Sequence, residues 1–204
     1  MPRKGPRARS TFDEKYYRRF YSGPDKVHAV EHIEILARGV LALSGWFGLR
    51  IERALDVGSG PGYWRDTLKK LRPDVKTRST DASPFACAEF GHELRDISAW
   101  RADETFELVI CQGVLQYLDD RACAAAIDNL GAMCSGLLYL EAMTKRDLRD
   151  TVDRRRTDLE VHERTGAWYR KRLGKHFEQV GAGLWAARGR FHFYELERVS
   201  PASS

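Results

Sequence analysis

Three glycines at alternate positions follow a short apolar run in Ala54-Leu-Asp-Val-Gly-Ser-Gly-Pro-Gly-Tyr-Trp64, placing Gly58, Gly60 and Gly62 in one turn. Glycine admits positive φ and lets a ligand approach the main chain with no Cβ between them. A strand that runs through such a turn into a helix also presents free N–H groups and a partial positive charge. Nucleotide-type cofactors use turns of this kind. A dinucleotide site spaces its glycines G-x-G-x-x-G and seats a pyrophosphate at the helix end. Here the spacing is G-x-G-x-G, because residue 63 is Tyr, and Asp56 stands just ahead of the first glycine. A carboxylate there would repel a pyrophosphate.

The same carboxylate would attract the cationic aminoacyl end of S-adenosylmethionine, directly or through water, which favours that methyl donor over NAD. Asp81, in Ser79-Thr-Asp-Ala-Ser83, lies 19 residues past Gly62, close to the roughly 20 expected of a ribose-binding acid. It could accept from both ribose hydroxyls, although Asp is also a common helix N-cap. In Arg95-Asp-Ile-Ser98, Asp96 could accept from an adenine amino group while Ile97 packs on the ring; a turn aspartate is the competing reading. Val109-Ile-Cys-Gln-Gly-Val-Leu-Gln-Tyr-Leu118 reads as a strand whose C-terminal end, at Gln112, would face the sulfonium. Ser59, Trp64 and Ala82, beside these anchors, complete the expected cofactor wall.

The elements that must position these residues are legible as alternating patterns. Short apolar runs at 53–57, 75–80, 106–111 and 136–140 alternate with helical stretches at 63–71, 84–90 and 121–134. Such β–α alternation predicts a parallel sheet with crossover helices. Residues 11–50 read as a helical cap, with Val30, Ile33, Leu36 or Ala37, Val40 and Leu43 at helical spacing until Gly45 and Gly48 break it. Thr144 to His162 is too charged for core, a helix is expected over Ala167–Phe177, and Gly183–Arg188 with Phe191–Val199 reads as a terminal hairpin.

These motifs, in this order, resemble the class I S-adenosylmethionine-dependent methyltransferases over residues 51–199. Asp56-Val-Gly-Ser-Gly-Pro-Gly62 resembles the family's glycine-rich first motif, Asp81 its ribose acid, Asp96 its adenine-contacting acid, and Cys111–Leu118 its motif after the fourth strand. The resemblance implies a Rossmann-like α/β fold: a seven-stranded, mostly parallel sheet with an antiparallel C-terminal hairpin, which Phe191–Val199 would supply. Tyrosines in such N-terminal segments often close over the donor, which singles out Tyr16 and Tyr17; packing of a capping helix is the alternative. Cys111 is preceded by Ile110, not by the proline usual before the nucleophile of cytosine-C5 methyltransferases, and reads as the end of an apolar strand. An Asn/Asp-Pro-Pro-aromatic motif is also missing, and both features speak against base methylation.

The acceptor side is expected outside the common core, in residues 11–32 and in an insertion or lid over 142–170. Methyl transfer needs an acceptor lone pair aligned opposite the sulfonium, and a base only where the acceptor must lose a proton early. His162 is the candidate base, since an unperturbed histidine titrates near neutrality, followed by Tyr117 and Glu163.

Composition sets the remaining bounds. The chain has 204 residues, 43% hydrophobic and 31% charged, with a net charge of +5. This is a globular mix, long enough for one domain with elaborations. Much of the positive excess lies in the basic tail over 1–10, expected to be disordered, and in Arg154-Arg155-Arg156, read as a solvated helix face. The start lacks a hydrophobic segment typical of a signal peptide, no apolar run approaches the roughly 20 residues of a membrane span, and Cys87, Cys111, Cys123 and Cys134 show no metal spacing. A cytoplasmic protein with reduced thiols and no metal site is the expectation. A small-molecule acceptor, methylated on O or N, leads. An RNA or protein methyltransferase using the basic surface, a non-catalytic donor-binding protein and an NAD-dependent dehydrogenase are the alternatives.

Overall fold

The computed structural model describes residues 12–23, 26–27 and 29–199; the basic tail over 1–10 lies outside them. Two helices open the chain, α1 (Glu14–Tyr21) and α2 (Val30–Trp46), followed by β1 (Arg53–Val57), α3 (Tyr63–Leu71), β2 (Lys76–Asp81), α4 (Pro84–Phe90) and the short β3 (Glu93–Leu94). Then come β4 (Phe106–Gln112), a 3-10 turn (Leu115–Tyr117), α5 (Asp120–Met133), β5 (Cys134–Glu141), α6 (Lys145–Asp150), α7 (Gly166–Leu173), β6 (Phe177–Gly181) and β7 (Leu184–Ala187). The strands form one seven-stranded sheet in the order β3-β2-β1-β4-β5-β7-β6. β1 to β5 run parallel, and β7 is antiparallel to both β5 and β6. The chain thus has the Rossmann-like α/β fold that the alternation implies.

Both faces of the sheet are covered, which is why the central strands read as continuous apolar runs. Alternate residues divide between two cores, as strand pleating requires. Leu55, Val57, Val109, Cys111 and Leu138 pack under α5 and α7, against Ile127, Leu130 and Leu173. Ala54, Leu108, Ile110, Leu137 and Tyr139 pack under α2 and α3, against Ile33, Val40 and Leu68.

Several expectations are corrected. The terminal hairpin is one element earlier than its sequence pattern suggests, at β6 and β7, joined through Gly181, Ala182 and Gly183, all at positive φ. Leu173 and Phe177 are spaced like neighbours on a helix, yet α7 ends at Gly174, whose N–H closes on the Arg170 carbonyl, so Phe177 opens a strand instead. Phe191–Val199 contains no strand: Phe191 and Phe193 pack on Phe47, and a 3-10 turn spans Glu195–Glu197. Gly45 does not break α2, which continues to Trp46; Gly48, at φ +71°, follows its end. Val30 and Leu43 face outward from that helix while Ile33, Ala37 and Val40 are buried. The charged stretch after residue 143 is docked, not peripheral, with Leu148, Asp158 and Arg164 all buried. Arg154–Arg156 forms a turn and no helix.

Candidate active site

A two-lobed cavity opens at the C-terminal edge of the parallel strands, where ligands of open α/β sheets are bound. The larger lobe measures about 250 Å³ and the smaller about 110 Å³; they meet at Gly58, Gly60, Gln112, Gly113 and Tyr117, under Tyr16 and Tyr21 of α1.

The floor at the junction is the glycine turn. Gly58, Gly60 and Gly62 have φ of +66°, +55° and +83°, a region costly for any residue with a Cβ. At Gly58 an added Cβ would also lie 2.2 Å from Val114 Cγ2. The turn keeps its own amides: Gly58 and Ser59 donate to the Thr80 carbonyl (2.8 and 3.0 Å), Gly62 to the Ser59 carbonyl (2.9 Å), and Gly60 to Asp81 Oδ2 (2.9 Å). With Pro61 lacking an N–H, no donor is left in residues 58–62 to cradle a pyrophosphate.

Carboxylates mark both lobes beside the junction. Asp81, at the end of β2, also accepts the Ser83 N–H at Oδ1 (2.8 Å). The N-cap of α4 is Ser83, so Asp81 is not capping that helix. Asp81 and Ala82 line the smaller lobe with Asp96 and Ile97. Asp96 is fixed in its turn by the Ser98 N–H (3.0 Å) and hydroxyl (2.8 Å). In the larger lobe, just ahead of Gly58, Asp56 is buried, with Oδ2 accepting the Arg65 N–H (3.2 Å). Burial raises its carboxyl to about 7, and hydrogen bonds oppose that rise only in part. Burial likewise raises Asp81, against its two backbone donors.

Gln112 ends β4 at the seam. Its Oε1 accepts Trp64 Nε1–H (2.7 Å), and its Nε2 donates to Glu141 Oε2 (3.0 Å), at the end of β5. Trp64 and Ser59 line the larger lobe, and the Ser59 hydroxyl donates to the Asp56 carbonyl (2.9 Å). Above the seam, α1 buries Tyr16, Tyr17 and Phe20, and Tyr16 and Tyr117 share a hydrogen bond between hydroxyls (3.0 Å). Tyr17 faces the smaller lobe, and its ring lies 5.5 Å from that of Phe85 on α4. Closing over the cavity and packing on the domain are therefore done by the same helix. Burial holds the Tyr117 phenol well above its ordinary value, so at neutral pH it is a hydrogen-bonding group and no base.

Three residues singled out by sequence do not line either lobe. Gly62 turns the chain into α3, where a Cβ would lie 2.7 Å from Arg65 Nη2. His162 gives its N–H to the Gln116 carbonyl (2.8 Å), and burial followed by the nearby Arg164 charge lowers its imidazole below the usual value. Glu163 is exposed. Cys111 is fully buried in the core, with its thiol pushed up by burial, which fits a strand residue and no nucleophile.

The structure adds residues that the sequence did not single out. Glu141 and Asp158 line the larger lobe, as do Gln116, Phe20 and Met143. Glu141 had a signal, since it ends a parallel strand. Asp158 had only its place in the proposed insertion, and Gln116 none. Arg164 holds the 3-10 turn that carries Gln116 and Tyr117: it donates to the Leu115 carbonyl (3.1 Å) and the Leu118 carbonyl, and pairs with Asp120 (2.7 Å).

No family model matches the sequence, and no curated protein matches it. Solved structures do match. The N-methyltransferase NodS from Bradyrhizobium japonicum, in complex with S-adenosyl-L-homocysteine, superposes with a TM-score of 0.58 at 17% identity, over 85% of this chain and 97% of that one. Magnesium protoporphyrin IX methyltransferase from Synechocystis, with bound S-adenosylmethionine, gives 0.59 at 17% identity, over 86% and 90%. An S-adenosylmethionine-dependent methyltransferase from Clostridium acetobutylicum gives 0.58 at 13% identity, over 71% and 80%. Identities this low speak for architecture alone, and with the strand order they place this chain in the Rossmann-like fold of the class I methyltransferases.

Proposed function

We propose that the protein is an S-adenosylmethionine-dependent methyltransferase acting on a small-molecule acceptor, with the cofactor across the smaller lobe and the junction and the acceptor in the larger lobe. The observation that carries this reading is the chemistry of the seam. A glycine turn with its amides already used presents space and carboxylates, not anion-binding donors. That suits a cationic nucleoside and fits a pyrophosphate poorly. Asp81 and Asp96 are spaced along the smaller lobe for ribose and adenine, Ile97 for a ring face, and Asp56 for an ammonium. Ser59, Trp64, Ala82 and Gln112 complete that wall, under Tyr16 and Tyr17. Three methyltransferases of the same fold, two of them described with this donor or its product bound, support the reading.

S-adenosylmethionine, when bound, supplies an electrophilic methyl group on a sulfonium. The protein's own part is alignment and exclusion of water. Gln112 is held from both sides by Trp64 and Glu141, so the seam is rigid where the two lobes meet. Tyr16 and Tyr117 roof it, and burial keeps the Tyr117 phenol protonated at neutral pH. A cavity this size admits a small molecule.

Calorimetric titration with S-adenosylmethionine, S-adenosylhomocysteine and NAD tests the reading. The first two should bind and NAD should not. Asp81→Ala should weaken S-adenosylhomocysteine by about 2–3 kcal/mol, roughly a hundredfold, as expected for losing charged acceptors of two hydroxyls, in a variant whose melting shows it folded. Tighter binding of NAD, or no binding of either adenosyl compound, would sink the proposal.

A further inference from the structure

The charge of the larger lobe runs against that of the protein. The chain carries a net charge of +5, yet among the described residues this lobe is lined by Asp56, Glu141 and Asp158 and by no lysine, arginine or histidine. With Asp56 assigned to the donor's ammonium, Glu141 and Asp158 are the carboxylates on the acceptor's side of the lobe. Glu141 receives Gln112 Nε2–H and the Tyr139 hydroxyl (3.3 Å) both at Oε2, which leaves Oε1 to a ligand. Asp158 is 5% exposed, and its charge adds to the burial that raises the Tyr117 and Tyr21 phenols.

A second, independent observation points the same way. Gln116 lines the lobe, is 4% exposed, and no donor reaches its Oε1. Buried polar atoms are ordinarily hydrogen-bonded, so this oxygen marks a place where a ligand N–H belongs. Much of the rest of the wall is apolar or aromatic, including Phe20, Val27, Ile33, Tyr63 and Met143.

We infer that the acceptor is an amphipathic amine: a protonated nitrogen held by Asp158, Glu141 and the Gln116 amide oxygen, on an apolar body. A carboxylate or phosphate acceptor, and a polyanion such as RNA, would be repelled by the same wall. The inference rests on the donor reading above. Before transfer the ammonium gives up one proton, through the carboxylates to solvent. The freed lone pair forms the N–C bond as the C–S bond breaks, the bonding electrons stay on sulfur, and the product is a methylated ammonium.

The test is calorimetry on the full chain, first with S-adenosylhomocysteine and then, on the saturated complex, with 2-phenylethylamine, n-hexylamine, 2-phenylethanol and 3-phenylpropionate. At least one amine should bind about tenfold or more tightly than the alcohol and the acid, the scale of one charge-assisted hydrogen bond. Asp158→Asn and Glu141→Gln should each remove most of that preference, and Asp158→Asn, which does not touch the donor wall, should leave S-adenosylhomocysteine affinity within about twofold. Equal or tighter binding of the acid or alcohol, no amine signal on the saturated complex, or an undiminished preference in both variants would overturn the inference while leaving the donor reading intact. Failure of S-adenosylhomocysteine itself to bind would instead overturn the donor reading, and with it the inference.

Discussion

The smaller lobe is made at the ends of consecutive strands. Gly58 and Gly60 follow β1, Asp81 and Ala82 end β2, Asp96 and Ile97 lie beyond β3, and Gln112 and Gly113 close β4. Much of it is main chain, and its side chains are tied to neighbouring backbone, as Asp81 is to Gly60 and Ser83. What sets the larger lobe apart comes from distant parts of the chain: Phe20 on α1, Ile33 on α2, Glu141 at the end of β5, and Val152 to Asp158 in the segment after α6. One lobe is a product of the sheet's topology, and the other is added to it by side chains. A shared donor site with a variable acceptor site would be built this way.

The comparison can be broken at Gly58. If the smaller lobe depends on main-chain geometry, Gly58→Val should abolish detectable S-adenosylhomocysteine binding, because the new side chain meets Val114 and the residue must hold φ +66°. The backbone strain should cost about 1–3 kcal/mol of stability. Gly39→Ala on α2, where an added Cβ meets nothing within 4 Å, is the matched control and should leave binding unchanged. Normal binding by Gly58→Val would show that side chains, not the turn, define the donor lobe.

Arg164 sharpens the distinction from the other side. Its side chain is buried, satisfies the Leu115 and Leu118 carbonyls and stacks over Trp168 (4.8 Å to the ring centroid). Arg164→Met should cost about 3 kcal/mol in urea unfolding, because it strands buried acceptors. In the folded variant, amine binding should fall further than S-adenosylhomocysteine binding, since Gln116 rides on the anchored turn. Equal losses would mean that this turn serves both lobes alike.

The same division explains what could be read from the sequence. Strand–turn–helix patterns and an acid about 20 residues past a glycine turn are local signals, so the cavity-lining residues from Asp56 to Ile97 are legible in order. The wall of the larger lobe is defined by long-range docking. Nothing near Asp158 announces that its turn folds back over the sheet, and the charge of Arg154–Arg156 suggested solvent. His162 stood out by its intrinsic acidity, but acidity says nothing of direction, and the residue four positions earlier is the one on the wall. The hairpin lies earlier than its pattern suggests because Phe177 continues the spacing of a helix that Gly174 ends.

The smallest expected effect lies at the junction. Asp56 is buried with its carboxyl near 7, so around neutrality it is part protonated, and only the ionised form attracts a donor ammonium. S-adenosylmethionine affinity should therefore rise about tenfold from pH 6 to pH 8, levelling off above 7, with proton release on binding near neutral pH. Stability of the free protein should respond with the opposite sign. Because folding raises this carboxyl from its ordinary value near 3.8, its contribution favours the folded state fully at acid pH and is lost as the pH climbs through about 7. Asp56→Asn should bind the donor weakly and lose most of this pH dependence, while the amine preference of the other lobe, carried by Asp158 and Glu141, should persist in whatever complex forms. Calorimetry in buffers of different ionisation enthalpy separates the proton release from the binding heat. A flat affinity profile for the unaltered protein would assign the ammonium to another partner and move the boundary between the lobes away from Asp56.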